Sequence, residues 1–167
     1  MIVVCSLRAA AEQVSSIGAT KAISILGYES EHPSFESVQG DNHLRLTFND
    51  VSVDSPGLVA PGAHDMAKLL TFIRNWDQTS PMLIHCWAGV SRSTAAGFIA
   101  TCLLQPEREE EELAWALRKA SPSATPNPML IKLADEALGR DGRMRRAIAD
   151  IGRGADAFEG APFRLLV

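Results

Sequence analysis

Nine consecutive residues, His85-Cys86-Trp87-Ala88-Gly89-Val90-Ser91-Arg92-Ser93, hold the types that could do chemistry in this chain. Cysteine is a nucleophile once ionised. Arg92, six residues on, offers a planar fork that matches two oxygens of a phosphoryl group. The apolar run Met82-Leu83-Ile84 before the loop predicts a buried strand, and Thr94–Leu104 after it predicts a helix packed on that strand. A tight loop between a strand and a helix N-terminus turns backbone N–H groups and the positive end of the helix dipole towards an anion. Loop dipoles, helix and arginine together favour the thiolate of Cys86. The expectation is a sulfur nucleophile held against a bound phosphate, with Trp87, Ala88, Gly89, Val90, Ser91 and Arg92 forming the cradle.

Other phosphate loops do not fit. The chain has no Gly-x-x-x-x-Gly-Lys-Ser/Thr, and Gly89-Val90-Ser91-Arg92-Ser93 lacks the second glycine of a hydrolase elbow. Cys5 also lies between a strand and a helix, but Ala11 stands six residues on and no glycine intervenes. It reads as a core residue.

The flanking sequence must position the loop. Strands are expected at Ile2–Cys5, Ala22–Leu26 and His43–Phe48, and helices at Leu7–Ile17, Ala60–Trp76, Glu107–Lys119 and Met129–Leu138. The Glu-rich start of the Glu107–Lys119 helix complements a helix N-terminus. Ser121–Pro128 reads as a rigid connection whose Asn127 caps the next helix. Arg140, Arg143, Arg145 and Arg146 read as a solvated basic helix end, and residues 152–167 as an irregular tail without a motif.

At 167 residues the chain is expected to be one domain, 1–167. A hydrophobic share of 46% excludes disorder, and a net charge of −4 argues against a nucleic-acid partner. No apolar run is long enough to span a bilayer. Three widely spaced cysteines suggest neither a disulfide framework nor a zinc site, which suits a reducing cytoplasm.

The pattern His85-Cys86-x-x-Gly89-x-x-Arg92-Ser93 resembles the phosphate loop of the cysteine-dependent protein tyrosine phosphatases, and most closely their dual-specificity branch, as a small single-domain member of bacterial type. The resemblance implies an α/β fold with a small central, mostly parallel sheet flanked by helices, and no cofactor or metal. It implies phosphomonoester hydrolysis through a phosphocysteine on Cys86, with Arg92 binding the phosphoryl oxygens and Ser93 donating to the sulfur. His85 is then expected to hydrogen-bond backbone near the loop, and Asn127, in a Pro-Asn segment similar to ones near the family's active-site mouth, to order water or substrate if it is not only a helix cap. The family's general acid is an aspartate on a loop some thirty-odd residues before the cysteine, and two stand there. Asp50 precedes Cys86 by 36 residues (86 − 50) and Asp54 by 32 (86 − 54). Spacing favours Asp54, whereas the Phe48-Asn49-Asp50 context at a strand end favours Asp50, which is preferred.

The substrate would be a phosphorylated protein or a small phosphomonoester. The loop holds no lysine for a highly charged phosphoinositide headgroup. Competing readings are an arsenate-reductase or sulfurtransferase-like enzyme with a similar cysteine–arginine loop, and a weakly active phospho-binding module.

Overall fold

Strands β1 (Ile2–Ser6), β2 (Lys21–Leu26), β3 (His43–Thr47) and β4 (Met82–Cys86) are mutually parallel, and β1 and β4 are buried along their whole length. Apolar runs without polar alternation are what a sheet covered on both faces requires. A short β5 (Phe163–Leu165) joins β1 antiparallel, completing the order β3-β2-β4-β1-β5. The computed structural model describes residues 1–53 and 55–167. It has the expected small, mostly parallel sheet flanked by helices.

Side-chain alternation sorts two cores. Val3, Cys5 and Leu83 face helix α1 (Leu7–Ile17) together with Phe35 and Val38. Ile2, Val4, Met82, Ile84 and Cys86 face the other side. There they meet α2 (Ala63–Arg74), α3 (Arg92–Leu104), α4 (Glu110–Ala120), α5 (Pro128–Ala137) and α6 (Arg143–Ile151). Adjacent strands β1 and β4 thus lead into helices on opposite faces. Such a switch opens a crevice at the carboxyl ends of the strands, where α/β sheets bind ligands. Cys86 ends β4 at that crevice.

Three expectations change. Helix α3 begins at Arg92 rather than Thr94, which puts Arg92 and Ser93 in its first turn. The arginine cluster is not simply a solvated end: Arg145 and Arg146 are exposed, but Arg140 and Arg143 both pair with the buried Glu110 of α4, at 3.0 and 3.1 Å, and α6 begins at Arg143. Met144, Ala147 and Ile151 form its inward stripe, a three-and-four spacing diluted by three arginines. Buried Asp135 supplies the cap, accepting from the N–H groups of Gly142, Met144 and Arg145. The tail is not irregular throughout, because β5 closes the sheet edge.

On the α1 side, the Ser24 hydroxyl lies between His43 Nε2 (2.7 Å) and His85 Nε2 (2.6 Å), beneath the ring of Phe35. Burial is the main cause that pushes both imidazoles down to about 4, assisted at His43 by the Arg45 charge. Each is therefore neutral when folded but titrates near 6.5 when unfolded. Between those values the unfolded chain binds more protons, so stability is full above about pH 6.5 and is lost as pH falls towards 4. Each histidine contributes at most about 1.4 kcal/mol per pH unit. Denaturant midpoints measured from pH 7 to pH 5 should fall, and His43→Leu should remove one histidine's share of the slope.

Candidate active site

The loop after β4 is shaped by what holds its carbonyls. Trp87 O accepts from Leu7 N (3.1 Å), Ala88 O from Gly160 N (2.8 Å) and Val90 O from Thr125 N (2.9 Å). Ser91 O accepts from Ala95 N (3.0 Å) inside α3. In a trans peptide the carbonyl and the next N–H point oppositely. Carbonyls tied outwards at 87, 88, 90 and 91 therefore turn the N–H groups of Ala88, Gly89, Ser91 and Arg92 into the bowl. Gly89 N–H shows the result, lying 3.3 Å from Cys86 Sγ. Ser93 Oγ approaches the same sulfur at 3.1 Å from the first turn of α3. Cys86 is only 2% exposed, at the bottom.

Arg92 is buried, and its Nη1 donates to Phe48 O (3.0 Å) at the end of β3. Its Nε has no hydrogen-bond partner among the described residues and lies 3.7 Å from Asp50 Oδ2. Asp50 is held over the loop. Its Oδ1 accepts from Ser91 Oγ (2.7 Å) and from Asn127 Nδ2 (2.8 Å). Asn127 is buried and does two jobs. Its Oδ1 caps α5 through Met129 N and Leu130 N, both 3.0 Å, while Nδ2 also reaches Val51 O (2.9 Å). The fold thus brings Cys86, Arg92, Ser93 and Asp50 together, and Asp54 lies outside the described residues.

Other sequence candidates separate. Cys5 is Cα partner to His85 and packs on the α1 side, away from the Cys86 face. Burial, then the neighbouring Cys86 and Glu159, push its thiol up to about 12. Cys102 is likewise pushed up to about 12, by burial and then by Glu110. His85 points away from the bowl, with its ring on Ser24 of the adjacent strand; the Cys86 backbone offsets part of its lowered basicity. It is a neutral support under the loop. Among the described residues no group of three or more His, Cys, Asp or Glu could hold a metal, and no helix is long and apolar enough to cross a membrane.

The tail contributes what sequence reading missed. Phe158 stands edge-on to Trp87 at the rim, with ring centroids 5.5 Å apart, and Arg153, Asp156 and Phe158 wall a pocket of about 570 Å³ above Asp50 and Ser91. No periodicity or motif in residues 152–162 signals this. Pairing of Gly160 with the loop and of Glu159 with Ser6 and Arg8 puts it there.

Gly89 has φ +72°, and a Cβ on it would sit 2.7 Å from Ser6 N and 2.8 Å from Cys5 C, both backbone atoms. Neither neighbour can yield without moving β1. Gly89→Ala should therefore lose turnover of any phosphomonoester by about a hundredfold or more, as expected when reacting groups are displaced by about 1 Å. Steady-state kinetics on the purified, folded variant check this.

Comparison with known proteins bears on the same region. Residues 55–120 match the protein-tyrosine phosphatase family model, a span that contains the Cys86–Ser93 loop and begins after Asp50. No curated protein sequence matches the chain. Solved structures match over most of its length. DUSP15 is 22% identical, covers 89% of this chain and 90% of its own, and superposes with a TM-score of 0.62. Human DUSP28 is 20% identical over 84% and 94%, TM-score 0.63. The human tyrosine phosphatase-like serine/threonine/tyrosine-interacting protein is 17% identical over 84% and 92%, TM-score 0.64. The loop's family match and the fold agree with the resemblance carried by Cys86, Arg92 and Ser93: the segment around the loop is similar to protein-tyrosine phosphatases, and the chain has the fold of the dual-specificity phosphatases.

Proposed function

We propose that this protein hydrolyses phosphomonoesters through a phosphocysteine intermediate, as a protein tyrosine or dual-specificity phosphatase working in a reducing cytoplasm. The observation that carries the reading is the set of groups around one buried sulfur. Cys86 Sγ has Gly89 N–H and Ser93 Oγ within 3.3 Å, Arg92 follows in the first turn of α3, and Asp50 lies 3.7 Å from the Arg92 guanidinium. A sulfur-transfer enzyme has no alkoxide to protonate and no step for that aspartate, so the arrangement favours phosphate ester cleavage.

In the first step Cys86 attacks phosphorus. Inward N–H groups and Arg92 bind the equatorial oxygens, where transition-state charge accumulates. The unpartnered Nε of Arg92 is a buried donor that a phosphoryl oxygen would satisfy. Asp50 protonates the leaving oxygen. Its Oδ1 already accepts two hydrogen bonds, which leaves Oδ2 as the atom to carry the proton. In the second step Asp50 takes a proton from water as the water attacks phosphorus, and Ser93 donates to the departing sulfur.

Purified protein should release phosphate from p-nitrophenyl phosphate and from phosphopeptides, and Cys86→Ser should abolish both. A general acid matters most for a poor leaving group. Asp50→Asn should therefore slow phosphopeptide hydrolysis by about 10²–10⁴-fold, spare nitrophenyl phosphate by comparison and flatten the alkaline limb of its pH profile. Asp54→Asn should be nearly silent. The opposite pattern moves the acid to Asp54.

Asn127 acts through Asp50. Serine is an equally good helix cap but has no amide donor for Asp50 Oδ1. Asn127→Ser should lower phosphopeptide turnover by about tenfold, the effect of a misaligned acid. In a double-mutant cycle, adding it to Asp50→Asn should cost nothing further. Additive losses would make Asn127 a purely structural cap.

A further inference from the structure

The tail builds a second recess beside the phosphate pocket, and Phe158 is the partition between them. On one side lies the pocket of Asp50, Ser91 and Asn127; on the other lies a recess of about 300 Å³ walled by Leu7, Arg8, Trp87, Ala88, Phe158 and Glu159. The two aromatic rings are the exposed apolar groups here. Phe158 is 83% exposed and Trp87 46%, although each stands beside a backbone tied down tightly. Gly160 N–H donates to Ala88 O at 2.8 Å, and a Cβ on Gly160 would lie 2.7 Å from Gly89 O. Glu159 bonds the Ser6 hydroxyl and pairs with Arg8 at 2.6 Å. The strap is thus fixed to both β1 and the loop, and it holds a phenyl ring out in water.

Resting on the hydrolase reading above, we propose that this recess is a substrate subsite that takes an apolar side chain within two residues of the phosphorylated one in a phosphopeptide. Three observations select that occupant. The recess shares Phe158 and the loop with the phosphate pocket, so one molecule reaches both. Its two charged walls, Arg8 and Glu159, neutralise each other, so it offers nothing to an acidic or basic group. What remains is Leu7, Ala88 and two aromatic faces, an apolar surface that gains by leaving water. An extended peptide advances about 3.3 Å per residue, so neighbours of the phosphorylated residue fall within the width of a phenyl partition.

The test compares phosphotyrosyl peptides carrying Leu or Gly at each of the four positions nearest the phosphotyrosine, with p-nitrophenyl phosphate as the check on hydrolysis. At one position the wild type should prefer Leu by about tenfold in kcat/KM, the selectivity usual for a hydrophobic pocket. Phe158→Ala should bring that ratio below about twofold, and Phe158→Tyr should retain it. The exposure of Phe158 makes either variant compatible with folding. Turnover of nitrophenyl phosphate with no preference at any position, or a preference that survives Phe158→Ala, overturns the subsite alone. No turnover of nitrophenyl phosphate by the wild type overturns the hydrolase reading and the subsite with it.

Discussion

Everything at the site depends on carbonyl groups that face away from it. A five-residue bowl of N–H donors is unstable by itself, because its dipoles converge and each carbonyl still needs a partner. Here the partners come from distant parts of the chain: Leu7 at the start of α1, Thr125 before α5 and Gly160 in the tail. They are spectators in the chemistry and indispensable to its geometry. The bowl exists only once β1, β4, the Pro-Asn segment and the tail are all assembled, so its donors are set before any anion arrives. Preorganised dipoles of that kind do not need to reorient as charge develops, which is where electrostatic catalysis gains over water.

The charge pattern follows the same economy. Near Cys86 the fold keeps the flanking titratable groups out of play: His85 and His43 are held neutral by burial, and the Cys5 thiol is held protonated. Arg92 supplies positive charge at the loop and Asp50 the carboxylate above it. A histidinium behind the loop would add a fixed cation that no substrate could displace. Alternation along β4 prevents it by sending His85 to the Phe35 side while Cys86 faces α3.

Much of this was legible in the sequence where local rules suffice. Apolar runs without alternation mark β1 and β4 as buried, and the strand-to-helix junction around Cys86 marks an anion site before any fold is known. Asn127 could be read as a cap or as a residue near the site mouth, and its side chain both caps α5 and donates to Asp50. What stayed hidden depends on partners far away in sequence. Arg140 and Arg143 look solvent-facing until Glu110, thirty-odd residues earlier, is seen buried between them. A strand as short as β5 has too few residues to show a period, and it is defined by pairing with β1. Phe158 lies among polar and small residues, and the contacts of Glu159 and Gly160 with distant partners carry it to the rim.

The aspartate's placement shows how remote packing reaches the chemistry. Asp50 sits on a loop, and loops are poor at holding a carboxylate to a few tenths of an ångström. The remedy is to borrow rigidity from a helix. Asn127 is fixed because it caps α5, and the amide left over after capping reaches Asp50 and Val51. The far part of α5 is fixed in turn, since buried Asp135 satisfies the first N–H groups of α6 and Arg140 returns to Glu110 on α4. These contacts act mechanically: they keep α5 from rocking, and a rocking α5 would move its N-cap, and with it Asp50, the proton donor proposed above, off the line to the leaving oxygen.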